Sequence, residues 1–274
     1  MNKLKFMGKN TQLKIFLVLA IIVVLIAIFA PFIVPNDPFK QLAPSLQRPS
    51  KQYIFGTDQL GRDLFSRVIY GSRYSIFMTL TLMFIIFVVG TILGVLAGYF
   101  GGIVDTIMTR IVEILLIIPS MIYIILLMVV MGNSVKTIII AMSLTRWLNY
   151  SLLVRGEVLK IKENEFVLAS KSLGGNFLWI TLKHLIPNTL SVIIIRLTTD
   201  IPNIIFTEAF LSFIGLGVPI PQASLGNLVF DGFVNMTSYP YLFIIPSVVI
   251  SLITLAFNIV GDALNDALNP KLRD

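Results

Sequence analysis

Long apolar runs recur along this chain, and they constrain its fold more than any other feature. Runs of about 18 or more apolar residues are long enough to cross the hydrocarbon core of a bilayer as helices. Of the 274 residues, 56% are hydrophobic and only 13% are charged. That charged fraction is about half of what a soluble domain carries. The sequence therefore predicts an all-α membrane protein, because a helix satisfies its own backbone hydrogen bonds within lipid.

The apolar runs predict about six transmembrane helices. The predicted spans are residues 13–34, 75–99, 106–131, 135–154, 189–213 and 241–264. The first span follows several lysines and lacks a small-residue cleavage site, so we interpret it as an uncleaved anchor. Six spans place both termini and the segment of about 155–188 in the cytoplasm, where Lys and Arg are favoured.

The segment that follows the first span fits this charge rule poorly. It would lie outside, yet it carries six positive residues: Lys40, Arg48, Lys51, Arg62, Arg67 and Arg73. We expect it to be partly helical and to lie against the membrane surface. The chain is accordingly divided into an anchor helix with its outer segment (1–74) and a transmembrane domain (75–274).

Glycine spacing in the second span predicts close helix packing. Gly90, Gly94 and Gly98 recur every four residues and so line one helix face. A face without side chains lets another helix approach closely. We interpret these glycines as packing residues rather than ligand contacts.

The residues and motifs that disulfides, thiolate or multi-histidine metal sites, ATP binding and hydrolysis require are absent from this sequence. The chain has no cysteine and a single histidine, His184, which argues against a disulfide framework, a thiolate site or a multi-histidine metal site. It also lacks a GxxxxGK[ST] phosphate loop and the HExxH and GxSxG motifs. We predict no catalytic residue and no metal site. The net charge of +7 is better explained by Lys and Arg at the cytoplasmic face than by nucleic-acid binding.

A few ionisable residues fall inside the predicted spans. Each is costly in lipid and should face a cavity, a partner or an opposite charge. They are candidates for a translocation path, or alternatively form internal ion pairs or lie near the membrane surface. They are Arg110, Glu113, Arg146, Arg196, Asp200 and Glu208.

A polar segment, about Arg155 to Pro187, interrupts the apolar pattern. Its apolar residues are spaced as in two short amphipathic helices, joined by Gly174-Gly175 and ending at Pro187. Such a segment at the membrane surface is suited to docking a soluble partner. The alternative is a simple amphipathic linker between two spans.

This polar segment resembles the EAA loop of binding-protein-dependent ABC importer permeases. In that family a small-small pair precedes a glycine, and a hydrophobic-Pro pair follows about a dozen residues later. Ala169-Ser170, Gly174 and Ile186-Pro187 stand at that spacing. The segment departs from the family pattern at Leu168, which stands in place of the glutamate, and at Ser170, which replaces the second alanine.

Three further stretches resemble the peptide and nickel branch of that family. They are residues 55–75, 208–229 and 256–274, in the expected order. The whole chain looks like the second, C-type permease of the dipeptide/oligopeptide/nickel group. The resemblance implies a type I ABC importer permease fold and a place in the bacterial cell (inner) membrane, as a multi-pass protein.

The resemblance also implies partners and roles. The chain would pair with a homologous permease as a heterodimer, above two ABC ATPase subunits, and receive substrate from an extracytoplasmic binding protein. ATP and Mg would be held by the ATPases, so this chain would carry no cofactor and no enzymatic activity. Its coupling loop would contact an ATPase through Glu165, Ala169, Ser170 and Gly174, and Pro187 would set the angle into the next span. Nucleic acid is not an expected partner.

Two other functions remain compatible with the residues alone. A secondary transporter or channel could use the intramembrane charges and would act without an ATPase. A scaffold or signalling membrane protein could use the polar segment to recruit a partner without transport. Co-purification distinguishes these functions, because only the ABC permease should bring down an ATPase and a second permease.

Overall fold

The computed structural model describes residues 11–219 and 221–268. In that part of the chain the regular structure is helical, apart from one isolated β-bridge between Thr57 and Asp63. A π-helical turn covers Thr181–Leu185. The α-helices are α1 (Thr11–Ile33), α2 (Leu64–Phe100), α3 (Gly102–Ile117), α4 (Ser120–Met131), α5 (Val135–Ile161), α6 (Glu165–Ser172), α7 (Phe177–Ile180), α8 (Ile186–Phe213), α9 (Leu225–Val234) and α10 (Tyr241–Leu268).

Each predicted span coincides with a helix or a pair of helices. Within the described ranges, four helices are long and apolar enough to cross a membrane: Leu64–Phe100, Val135–Ile161, Phe177–Phe213 and Tyr241–Ala263. The predicted third span is a bent pair, α3 and α4, with an angle of 81° between them, and it would be a fifth crossing. The all-α membrane fold is thus confirmed with four or five spans. A sixth span at α1 stays a prediction. The apolar helical stretch Ala20–Ile33 is shorter than a membrane crossing requires.

Contacts within the chain group the residues into two units. Among the described residues, unit 1 comprises 11–80, 131–138, 198–219 and 221–268, and unit 2 comprises 81–130 and 139–197. The predicted division of the chain into 1–74 and 75–274 stays a prediction. That division follows the side of the membrane, whereas the two units are defined by contacts between residues. The cytoplasmic placement of the termini stays a prediction too, and residues 1–10 and 269–274 lie outside the described residues.

The outer segment of unit 1 contains an ion-pair network that accounts for two of its unexpected positive charges. Asp58 Oδ2 lies 2.7 Å from Arg62 Nε and 3.1 Å from Arg67 Nε, and all three residues are buried. Asp63 precedes α2 as its N-cap and accepts hydrogen bonds from the Ser66 backbone N–H and hydroxyl. The part of the segment before Leu64 is thus a folded loop with buried ion pairs, and residues 64–74 begin α2, so the segment is partly helical as predicted. Its position against the membrane surface stays a prediction.

The C-terminal helices of unit 1 pack in series. Helix α9 begins after Ser224, whose hydroxyl accepts a hydrogen bond from the Asn227 backbone N–H. It packs against α10, and α10 packs against α1. Gly232 permits the contact between α9 and α10, since a Cβ there would lie 2.3 Å from the Leu242 carbonyl oxygen.

In unit 2, the glycine face of α2 packs against α5 as predicted. An added Cβ would lie 2.7 Å from Tyr150 Cβ at Gly90, 2.6 Å from Val154 Cβ at Gly94, and 2.8 Å from Val158 Cβ at Gly98. Close approach of the two backbones therefore requires glycine at each position.

Candidate functional site

The polar segment folds as the predicted pair of short helices, α6 and α7. Asn164 and Asn176 precede them, and the Asn176 side chain accepts a hydrogen bond from the Trp179 backbone N–H. Between the helices Gly174 has a φ of 84°, a left-handed conformation that favours glycine. We call residues 165–187, which span both helices and the π turn, the docking element.

The sequence predicted that the second short helix ends at Pro187, and this prediction is wrong. Helical structure continues from Phe177 to Phe213, and Pro187 lies in the first turn of α8. Proline lacks the N–H that would bond the preceding turn. The turn before it is π-helical, with the Ile186 N–H bonded to the Thr181 carbonyl, and this wider turn admits the ring.

The inner side of the docking element is anchored by buried side chains. Val167, Ile180 and Leu185 belong to a cluster that also includes Val95 of α2 and Val158 of α5. Apolar burial of this kind stabilises each fully buried side chain by about 1.5–3 kcal/mol relative to exposure. The docking element is therefore packed onto α2 and α5.

An aromatic contact adds to this attachment. The Phe177 ring lies with its centroid 4.9 Å from both the Tyr99 and the Phe100 ring centroids. These two residues end α2. The apolar spacing of the sequence placed Phe177 on a helix face, but it did not identify Tyr99 and Phe100 as its contacts.

The outer side of the docking element exposes apolar side chains. Leu173 is 88% exposed, and Leu168 and Leu178 are more than half exposed. Isolated exposed leucines are ordinary, but several on one short element form an apolar surface patch.

The predicted coupling residues divide between the two sides. Glu165, Ala169, Gly174 and Pro187 are exposed, whereas Ser170 is buried. An added Cβ at Gly174 meets no atom within 4 Å, so this glycine is required by its backbone conformation alone.

Its neighbour Gly175 is required for a different reason. A Cβ there would lie 2.8 Å from the Ser170 carbonyl oxygen and 2.9 Å from Ser170 Oγ. Gly175 is thus required by space, and a bulky residue at either 170 or 175 would force the two helices apart.

The single histidine joins α6 to the turn after α7. The His184 ring lies 5.6 Å from the Phe166 ring centroid and 5.1 Å from that of Trp179. Its backbone carbonyl accepts a hydrogen bond of 2.6 Å from the Asn188 side chain. The residue is partly buried and packs between aromatic rings.

The candidate pathway charges are found in both units. Arg110, Glu113, Arg146 and Arg196 belong to unit 2, and Asp200 and Glu208 belong to unit 1. Arg110 and Glu113 form the predicted ion pair at 2.9 Å and are exposed, with 74% and 49% of their side-chain surface accessible. Arg146 and Arg196 also have interaction partners. Asp200 is buried and accepts a hydrogen bond of 3.3 Å from Asn203.

Glu208 is the most enclosed of these charges, with 1% of its surface exposed. It accepts hydrogen bonds from the hydroxyls of Ser212 at 2.9 Å and Ser75 at 3.4 Å. Ser75 in turn accepts a hydrogen bond from the Leu225 backbone N–H at 3.3 Å. Glu208 and Ser75 therefore tie α2, α8 and α9 together within unit 1.

One ion pair near the docking element was not predicted. The Arg155 guanidinium makes two contacts with the Asp105 carboxylate, one of them 2.6 Å long between Nη2 and Oδ2. The signal available in the sequence was a pair of opposite charges at the polar ends of two predicted spans.

The chain is similar to permease subunits of peptide transport systems along nearly its whole length. It is 43% identical to the oligopeptide transport system permease protein OppC of Bacillus subtilis, over 99% of this chain and 87% of that protein. It is 45% identical to the dipeptide transport system permease protein DppC of Bacillus subtilis, over 90% and 78% respectively. Similarity at this level and coverage indicates a shared architecture and a shared type of subunit.

A solved structure supports the fold independently. A chain of the MetNI methionine ABC transporter, in inward-facing conformations, superposes with a TM-score of 0.59 at 19% sequence identity, covering 75% of this chain and 98% of that chain. The family model for the binding-protein-dependent transport system inner membrane component matches residues 90–274. The chain therefore belongs to the family of binding-protein-dependent transport system inner membrane components, as a multi-pass permease subunit with the type I ABC importer fold.

Proposed function

We propose that this permease subunit forms half of the translocation path of an importer for peptides. It couples that path to ATP hydrolysis through the docking element, residues 165–187. The relatives named above transport oligopeptides and dipeptides by their names, and this favours peptides over nickel or a metal chelate as the substrate.

The observation that carries the coupling role is the two-sided construction of the docking element. Its inner side is buried against α2 and α5, and its outer side exposes Leu168, Leu173 and Leu178. A rigid element of this kind transmits the displacement of a bound partner to the helices it is packed on. The proposed contacts with the partner are Glu165, Ala169 and Gly174.

Ser170 and Pro187 support the docking element from within. Ser170 is buried under Gly175, so it holds α6 and α7 together instead of touching a partner. Pro187 lies after the π turn and sets the direction in which α8 leaves the docking element.

We assign four partners to the complex. A homologous permease completes the membrane path as the other half of a heterodimer, and two ABC ATPase subunits bind beneath. An extracytoplasmic binding protein delivers the substrate. ATP and Mg are bound by the ATPases, so this chain is a non-catalytic subunit without a cofactor.

The exposed Arg110–Glu113 pair favours a position in which α3 faces either the translocation path or the partner permease. An exposed ion pair is costly when it faces lipid. Facing water in the path or the partner permease removes that cost. Arg110 and Glu113 are accordingly the foremost candidates for contact with substrate.

The remaining intramembrane charges are weaker candidates for that contact. Arg146 and Arg196 are partly or largely accessible, whereas Asp200 and Glu208 are buried. The two buried carboxylates would meet substrate only after the helices around them had moved.

Reconstitution into vesicles tests this function against the secondary-transport alternative. The chain is inserted alone, with its partner permease and ATPases, and with the binding protein added. We expect uptake of a labelled dipeptide or oligopeptide that requires ATP, the ATPases and the binding protein. Peptide uptake by the chain alone, driven by an ion gradient, would contradict the proposal. Uptake of nickel without peptide would contradict the assigned substrate.

A further inference from the structure

Helix α3 is a short segment that is broken from its neighbours at both ends. At its start Gly101 and Gly102 have φ values of 65° and 53°, left-handed conformations that glycine adopts without strain. At its end the chain passes through Ile118-Pro119 and turns by 81° into α4. The direction of α3 is therefore not fixed by helical continuity with α2 or α4.

Apolar packing holds α3 only weakly. Val112 is the buried residue of this helix. A cavity of about 10 Å³, with room for about one water molecule, is lined by Met108, Thr109 and Val112 of α3 and by residues of α2 and α5. Side chains that border a void lack part of their dispersion contacts. Another interaction must therefore hold α3 in place.

The Asp105–Arg155 ion pair supplies that interaction. Arg155 contacts both carboxylate oxygens of Asp105, and Thr109 Oγ1 donates a further hydrogen bond of 3.2 Å to Oδ1. The side chains of Asp105 and Arg155 are 16% and 29% exposed, so water screens the pair only in part. A bidentate, charge-assisted contact fixes both distance and orientation.

Arg155 projects from the part of α5 that is packed with the docking element. Three residues later Val158 is buried in the cluster that contains Val167 and Ile180 of the docking element. Lys162 Nζ donates a hydrogen bond of 2.9 Å to the Gly98 carbonyl of α2. The end of α5, the end of α2 and the docking element thus form one packed block.

We propose that the Asp105–Arg155 ion pair is the joint through which displacement of the docking element turns α3. The inference rests on the proposed docking to an ATPase, because the displacement originates there. Since α3 carries the exposed Arg110–Glu113 pair, turning it reorients charges on the proposed path. We assign Asp105 and Arg155 as positioning residues, which act through the direction of α3.

The test uses the complete importer in vesicles, with substrate uptake and ATP hydrolysis measured in the same preparation. Asp105→Asn and Arg155→Gln are expected to lower uptake per ATP hydrolysed by about tenfold, while hydrolysis stays within about twofold of wild type. The charge-exchanged variant Asp105→Arg/Arg155→Asp is expected to restore at least about half of the wild-type ratio, because it restores the pairing.

Lys160→Gln is the matched control. It breaks the exposed 2.8 Å contact between Lys160 and Glu157, which joins two residues of α5 and no second helix. We expect its uptake per ATP to equal that of wild type. The control removes a positive charge from the same helix as Arg155, so it separates loss of charge from loss of the joint.

Several outcomes would overturn the inference. A pair that serves only to hold the fold would lower uptake and hydrolysis together and leave their ratio unchanged. An unchanged ratio in both single variants would also reject the joint. If a single variant does not assemble, the charge-exchanged variant decides, and its failure to assemble or to restore the ratio rejects the proposal. Failure of the proposed function is distinguishable, since the wild-type chain would then neither bind ATPases nor show ATP-dependent uptake.

Discussion

Gly175 and Ser170 are in direct contact across the turn between the two short helices of the docking element. A Cβ at Gly175 would approach the Ser170 carbonyl oxygen to 2.8 Å, whereas one at Gly174 would meet no atom within 4 Å. Two adjacent glycines are thus required for different reasons, one for space and one for its φ of 84°.

This contrast predicts different tolerance at the two positions. Gly174→Asn should keep at least about half of wild-type ATP-coupled uptake, because asparagine tolerates the left-handed conformation. Gly174→Val should abolish coupled uptake while the protein stays in the membrane, since a β-branched residue is strained there. Gly175→Ala should lower uptake by about tenfold, because the added methyl group displaces Ser170. Uptake assays at matched expression check all three. Equal uptake by Gly174→Asn and Gly174→Val would contradict the conformational reason.

The contact between α2 and α5 predicts opposite effects for two alanine substitutions. Gly94→Ala should destabilise the protein by about 1–3 kcal/mol, because the new Cβ would lie 2.6 Å from both the Ser151 carbonyl and Val154 Cβ. Gly156→Ala should stabilise it by about 0.5–1 kcal/mol, since that helical position has no atom within 4 Å. Thermal unfolding in detergent measures both. A destabilised Gly156→Ala variant would show that the helix surface there is not open.

The hydrogen bonds of Glu208 predict a hierarchy of substitutions. Glu208→Gln keeps an acceptor for Ser75 or Ser212 and should lower stability by less than about 1 kcal/mol. Glu208→Leu leaves the buried hydroxyls unsatisfied and should cost about 1–3 kcal/mol for each group. Thermal unfolding of the purified chain provides the comparison. Equal stability of the two variants would show that Glu208 does not tie the helices together.

The buried carboxyl group of Asp231, which lies on α9 outside the spans, leads us to predict that stability depends on pH. Burial raises the pKa of its carboxyl group; the charge on Asp58 adds to this, while Arg67 and Arg62 oppose it. The folded protein therefore binds this proton more tightly than the unfolded chain does. The resulting stability is fully present below the unfolded pKa of about 3.9 and is lost as the pH rises through the folded value.

Replacing Asp231 with Asn tests that sign. The unfolding temperature of the wild type should rise relative to that of Asp231→Asn as the pH falls from neutral, through the folded pKa, toward the unfolded pKa of about 3.9. The variant keeps the shape of the side chain and removes its titration. A constant difference across this range would show that Asp231 does not titrate there.

Much of the architecture could be predicted because it rests on local patterns. Apolar runs identified the helices, and the spacing of Gly90, Gly94 and Gly98 identified the face that packs on α5. The small-residue pair, the glycines and Ile186-Pro187 located the docking element. Contacts between residues that are distant in the sequence could not be predicted. Nothing in the local sequence joins Asp105 to Arg155, or Phe177 to Tyr99 and Phe100.

In the outer segment, too, the sequence did not predict which charged residues pair. Its positive residues conflicted with a charge rule that applies to exposed residues. Arg62 and Arg67 are instead buried against Asp58, and such pairing depends on a folded loop that a residue count does not detect. The continuation of α7 into α8 was missed for a related reason, because proline usually ends a helix and the π turn that admits Pro187 has no sequence signature.

Site-specific cross-linking at Leu173 tests the central claim most directly. The chain has no cysteine, so Leu173→Cys provides a single thiol at the most exposed leucine of the docking element. Lys51→Cys, exposed on the outer segment, is the control. In a complex shown to transport, we predict a cross-link from position 173 to an ATPase subunit and none from position 51. Absence of a cross-link from position 173, or equal cross-linking from both positions, would contradict docking through residues 165–187.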